Sequence, residues 1–171
     1  MAPATVEANL ESALAALVGT VDHPGRGAFL MEIDVNERSL SHHLAICLAA
    51  RFPGWDVDCE YNRDGIDDPK YLQLPQRTEP TSMDVDAKTV FPDVIVHHRG
   101  QGGAPNNLLV VEIKKSSNKH GFEFEFDRVK LREFQLQLGY QNAYLVVLDT
   151  DHSQPAPFTI ERVSRDYVGN Y

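Results

Sequence analysis

Three ionisable side chains stand in this sequence where buried strands ordinarily carry none. Asp93 heads the apolar run "FPDVIVHH", and Glu112 and Lys114 lie near the end of a second run, "NLLVVEIKK". The segment "RGQGGAPN" joins the two. A hairpin folded about Gly102-Gly103 sets Asp93 across from Glu112, with Cβ atoms roughly 5 Å apart, provided no slip or bulge intervenes. Lys114, two residues on, shares the face of Glu112, while Ile113 turns its side chain to the core and keeps its carbonyl at the strand edge. Two carboxylates that close repel, and if buried and unpaired they must take up a proton or cost several kcal/mol. A divalent cation removes the conflict, because Mg²⁺ and Mn²⁺ prefer carboxylate, carbonyl and water oxygens. Such an ion lowers the pKa of a bound water and stabilises charge developing on a phosphate. A nearby lysine can orient or deprotonate the water, or neutralise negative charge. Asp93, Glu112, the Ile113 carbonyl and Lys114 thus carry the chemistry of metal-assisted phosphodiester hydrolysis. The competing reading is surface charge at a strand end, with Glu112 and Lys114 paired to each other or to Asp93.

The elements that must position these groups follow from periodicity. Val6, Leu10, Leu14 and Leu17 predict a helix over about 4–18. A glycine-rich break, "GTVDHPGRGAF", follows. Leu40, Leu44, Cys47 and Leu48 predict a second helix over about 37–51, capped by Asp34 or Asn36 and ended by Pro53-Gly54. Glu37, three residues before Leu40, points inward from its first turn. "WDVDCEY" alternates as a half-buried strand over 55–61. The polar stretch 62–89 reads as a surface loop. After the two opening strands, residues 124–138 read as a helix with Leu131, Phe134 and Leu138 inward and Asp127 as an early cap. "AYLVVLD", 143–149, is a fully buried strand type, and "FTIERV", 158–163, an edge strand. The helix between 107–114 and 143–149 makes a parallel crossover.

Composition bounds the function. At 171 residues with 42% hydrophobic and 24% charged residues, the chain has the makeup of one soluble domain. No apolar run reaches the roughly 18 residues of a membrane span, and the acid-interrupted start reads as an amphipathic helix rather than a signal peptide. Cys47 and Cys59 read as free thiols in a reducing cytoplasm. The net charge of −9 argues against a non-specific nucleic-acid coat. From Arg99 to Arg132, however, seven basic residues meet four acidic ones, against nine and 21 elsewhere. This window is either a patch for a phosphate backbone or a solvated helix face. His42-His43 do not share a helix face, and His97-His98 alternate across a strand, so neither pair clasps a metal; both read as partly exposed structural histidines. His120, beside Lys119, could touch a phosphate, and Glu60 could reach the site from its strand, but both read first as solvent-facing side chains. Zinc CxxC pairs, a P-loop and a GxSxG elbow are absent from the sequence.

"PD" at 92–93, eighteen intervening residues and "EIK" at 112–114 resemble the PD-(D/E)xK nuclease superfamily, with its restriction-endonuclease-like fold. The resemblance covers about two thirds of the chain, residues 37–149, and leaves out the first helix, the 62–89 stretch and the last strand. It implies an α/β domain with an αβββαβ core, a mixed central sheet flanked by helices. It implies Asp93 and Glu112 as ligands of Mg²⁺ or Mn²⁺, Lys114 as the catalytic lysine and Glu37 as an accessory metal or water ligand. The helix after the ExK strand often brings Lys or Gln to such a site, here Lys130 and Gln135. With Lys115 and Lys119 these are the candidates for contact with nucleic acid, DNA ahead of RNA, in defence or DNA processing. Duplex cleavage by so small a unit implies a homodimer or a partner protein. The alternative is a catalytically inactive relative that binds a protein or nucleic acid, for which the acidic segment "DVDCEYNRDGIDD" suggests a basic protein.

Overall fold

The structure is a computed structural model that describes residues 1–20, 22–64, 68–69, 71–74, 88–89, 91–118 and 121–169. Helix α1 spans Pro3–Val18, with proline at its start, where the missing N–H leaves no helical bond unmade. Val6, Leu10, Leu14 and Leu17 are fully buried. The stretch read as a glycine-rich break runs into a further short helix, α2, at Ala28–Glu32. Helix α3 spans Glu37–Ala49. Its cap is Asn36, whose Oδ1 accepts from the Ser39 N–H at 3.0 Å, a contact worth about 1 kcal/mol.

Strand β1 is Asp56–Cys59. Within 62–89, expected as one loop, the described residues form two antiparallel two-residue ladders: β2 (Arg63–Asp64) with β3 (Asp68–Pro69), and β4 (Tyr71–Leu72) with β5 (Lys88–Thr89). The rest of that expectation lies outside the described residues. Next come β6 (Val94–His97), β7 (Asn107–Lys115), helix α4 (Gly121–Gln137), β8 (Asn142–Leu148) and β9 (Phe158–Arg162). One mixed five-stranded sheet runs in the order β1-β6-β7-β8-β9. Only β7 and β8 are parallel, and α4 supplies the crossover that a parallel pair requires. The return from α4 turns at Gly139, φ 75°, where a Cβ would stand 2.8 Å from the Ala104 nitrogen, so a residue without one is needed.

The alternation of β6, β7 and β8 gives the sheet two apolar faces. Val94, Val111, Ile113 and Val146 pack against α1 and α3. Ile95, Val110 and Leu145 pack against Leu131 and Phe134 of α4. The nine-residue β7 is the central strand, buried from Asn107 through Ile113. Glu112 and Lys114 follow Val110 in the alternation of β7 and therefore emerge on the α4 face. Among the described residues, no helix is long and apolar enough to cross a membrane.

Candidate active site

The hairpin register brings the acids together. Val94 pairs with Val111, Ile95 with Val110 and Val96 with Leu109. One step beyond Val94, Asp93 falls across from Glu112. A register shift lies between Val96 and His97, on the side of the turn; it leaves the site end of the ladder untouched. Asp93 Oδ2 accepts from the Ile113 N–H at 2.7 Å. A strand residue directs its N–H and C=O to the same edge, so the Ile113 carbonyl also faces the Asp93 side.

Helix α4 closes over this end of the sheet and brings two further charged groups. Lys130 Nζ donates to Glu112 Oε2 at 2.9 Å and to the Phe91 carbonyl at 3.0 Å. Lys114 Nζ lies 2.9 Å from Asp127 Oδ2 and 3.8 Å from Glu37 Oε2. Asp127 was expected as an early helix cap; instead it lies within α4 and turns its carboxylate to Lys114. Four carboxylates (Glu37, Asp93, Glu112, Asp127) and two ammonium groups (Lys114, Lys130) thus share one region. If all are ionised, two negative charges remain unbalanced. The Glu112 side chain is only 3% exposed. Glu112 Oε1 and Glu37 Oε1 are buried without a hydrogen-bond partner, a state that costs about 1–3 kcal/mol per group, more for a charged one.

The electrostatics record the crowding. Burial drives the Glu112 carboxyl well above the usual carboxylate range, with Asp93 and Asp127 adding to it and Lys130 opposing. Burial likewise raises Asp93, against the Ile113 N–H and the two lysines. Burial would lower both lysines, but Asp127 and Glu37 outweigh it at Lys114, and Glu112, Asp127 and Asp93 outweigh it at Lys130. Both therefore stay charged. Among the described residues, no three His, Cys, Asp or Glu side chains converge closely enough to clasp an ion as they stand. The ammonium of Lys130 is interposed at Glu112, and Asp93 is turned to the Ile113 N–H.

The expected nucleic-acid contacts fare differently. Lys115 binds Asp34, through its carboxylate at 3.0 Å and its carbonyl at 3.2 Å. Ser117 also donates to Asp34, at 2.9 Å. These contacts pin the turn before α3 to the end of β7, and so hold Asn36 and Glu37 in place. Together Asn36, Glu37, Lys115, Ser117 and Asn118 line an open groove of about 400 Å³. Lys130 faces inward onto Glu112 rather than outward to a phosphate. Gln135 is buried, its Nε2 donating to the Val163 carbonyl at 3.0 Å. Lys119 lies outside the described residues, as does His120.

One other reading needs correction, and one holds. His97, expected to be partly exposed, is 2% exposed. Its Nε2 lies 2.9 Å from Asp58 Oδ2, and its ring is 4.8 Å from that of Tyr61. Arg99 grips the same Asp58 carboxylate with two bonds, at 2.6 and 2.7 Å. This cluster fastens β1 to β6 and thereby steadies the strand that Asp93 heads. Glu60 is turned outward, paired with Arg38 at 2.7 Å.

The structural roles of Asp127 and Lys130 went unread in the sequence, although a signal exists. Asp127, Leu131, Phe134 and Leu138 fall on one helical stripe, so an acid begins the apolar face, and Lys130 stands three residues from it. Comparison with protein-family models, with curated proteins and with solved structures finds no match for this chain.

Proposed function

We propose that this protein is a divalent-cation-dependent nuclease that hydrolyses phosphodiester bonds, with DNA ahead of RNA as substrate. One observation carries the reading: four carboxylates and two lysines meet at one end of a mixed sheet, with two buried carboxylate oxygens left unpartnered. The donor set is all oxygen, suited to Mg²⁺ or Mn²⁺, and the two-charge deficit suits one such ion. Asp93, Glu112 and the Ile113 carbonyl would hold it, with Glu37 at its outer side. Bound there, the ion supplies Lewis acidity toward a phosphate and an attacking water. Lys114, held charged by Asp127 and Glu37, orients or neutralises rather than removing a proton. The groove beside Glu37 offers the approach. The order α3, β1, β6, β7, α4, β8 reads αβββαβ, which supports the resemblance to the restriction-endonuclease-like arrangement.

The test is a cleavage screen on single- and double-stranded DNA and RNA with Mg²⁺ or Mn²⁺, beside Asp93→Asn, Glu112→Gln and Lys114→Met. Loss of cleavage in each folded variant is the expected result. Full activity in any one of them sinks its assigned role, and no cleavage of any substrate sinks the catalytic reading. A second reading has its own support. The six described basic residues between Arg99 and Arg132 are all engaged in ion pairs, which leaves little free charge for a phosphate backbone. A non-catalytic module on the same fold, binding a basic protein through the acidic remainder of the chain, accounts for that. Mn²⁺ binding distinguishes the two, since a module that has lost the site does not need the ion.

A further inference from the structure

Lys130 is an uncommon helix lysine, because its side chain is only 13% exposed. Its ammonium touches Glu112 at 2.9 Å and the Phe91 carbonyl at 3.0 Å, and Asp93 and Asp127 also act on it electrostatically. It therefore stands among the oxygens that would have to gather around a metal ion. Glu112 meanwhile keeps one oxygen buried and unpartnered. One positive charge in this position relieves the carboxylate repulsion only in part.

The geometry points to Lys130 as the residue that sets the cation selectivity of this site: it is a resident counter-ion that a divalent cation displaces and a monovalent cation does not. The inference rests on the divalent-cation reading above. A Na⁺ or K⁺ ion brings the same unit charge as the ammonium and must shed its water, so the exchange gains nothing. A divalent ion brings twice the charge to a region that is two charges short when its four carboxylates are ionised, and it uses the oxygen of Glu112 that Lys130 leaves idle. The lysine stem is flexible enough to yield. Its second contact, the Phe91 carbonyl, belongs to a residue that is 50% exposed, so the outward path is short.

Titration of Mn²⁺ into the wild type, Lys130→Met and Lys130→Arg, followed calorimetrically at fixed ionic strength, tests this. Lys130→Met removes the competitor and should bind Mn²⁺ about tenfold more tightly or better, since a unit charge a few ångströms from the ion is costly even when partly screened. Lys130→Arg should bind more weakly than the wild type, because its planar fork can hold both Glu112 oxygens. Potassium chloride should displace Mn²⁺ from Lys130→Met beyond the effect of choline chloride at equal concentration, and should not do so in the wild type. A wild type that binds Mn²⁺ while Lys130→Met binds it equally or more weakly overturns the inference and leaves the metal centre standing. Binding by none of the three proteins overturns both. Should Lys130→Met fail to fold, Lys130→Arg decides alone: affinity at or above wild type refutes the displacement.

Discussion

Replacing Asp93 with asparagine separates what the acid costs the fold from what it gives a metal ion. Asparagine keeps an oxygen for the Ile113 N–H, which Asp93 holds at 2.7 Å, and removes one charge from the group around Lys130. Burial raises the Asp93 carboxyl above its usual range, so the native state holds that proton more tightly than the unfolded chain does. Its ionisation then penalises folding. The penalty is absent below about pH 4, accrues from there up to the raised native value, and stays constant above it. At pH 7 without metal, Asp93→Asn should therefore be more stable than wild type. A relief of about 1 kcal/mol, the low end of what an uncompensated buried polar group costs, raises the melting temperature by about 2–4 °C in a chain of this size. The gain should fade toward pH 4. Mn²⁺ reverses the order. At a thousand times its dissociation constant an ion that binds only the native state adds about 4 kcal/mol, or about 8–16 °C to the wild type. If the variant binds a hundredfold more weakly, the same Mn²⁺ adds it only about 1.4 kcal/mol, or about 3–6 °C. Thermal melts of both proteins across pH, with and without Mn²⁺, supply the measurement. A metal-free variant less stable than wild type shows that Asp93 stabilises the fold and that the crowding argument fails. An undiminished Mn²⁺ shift in the variant removes Asp93 from the ligand set.

Three further outcomes are expected. Asp58→Ala strips the partner from buried His97 and the anchor from Arg99, and should cost about 2 kcal/mol, a fall of about 4–8 °C in melting temperature. Although burial opposes it, Arg99 and His97 hold the Asp58 carboxyl below its usual range, so its contribution is present at neutral pH and is lost as pH falls through that lowered value, and the two melting curves should converge in acid. Gly139→Ala forces a side chain onto a φ of 75° and to within 2.8 Å of the Ala104 nitrogen; chemical denaturation should show a loss of more than about 1 kcal/mol. Because the described basic residues of the 99–132 window are paired internally, binding to duplex DNA should vary weakly with salt, with a log–log slope shallower than about −3, as few released counterions would give; a slope near −6 or steeper would mean that these pairs open to meet phosphate.

What the sequence by itself determined is local. Alternation with period two and a glycine turn set the β6–β7 ladder, and with it the opposition of Asp93 and Glu112, since a strand's register leaves its side chains no choice of face. The capping asparagine and the apolar stripe of α3 bring Glu37 to the head of that helix for the same kind of reason. The parallel crossover was legible because an apolar strand, a helix and a second apolar strand admit few arrangements. What only the tertiary structure decided is which charge answers which. Lys130 and Gln135 read as basic and polar groups for a phosphate, yet the packing of α4 on the sheet turns one onto Glu112 and the other onto the Val163 carbonyl. Asp127 read as a cap and became the partner of Lys114. His97 read as a partly exposed structural histidine and is buried against Asp58. These outcomes depend on how two elements distant in sequence meet. A long side chain seeks the nearest opposite charge in space, and no spacing along the chain encodes that distance.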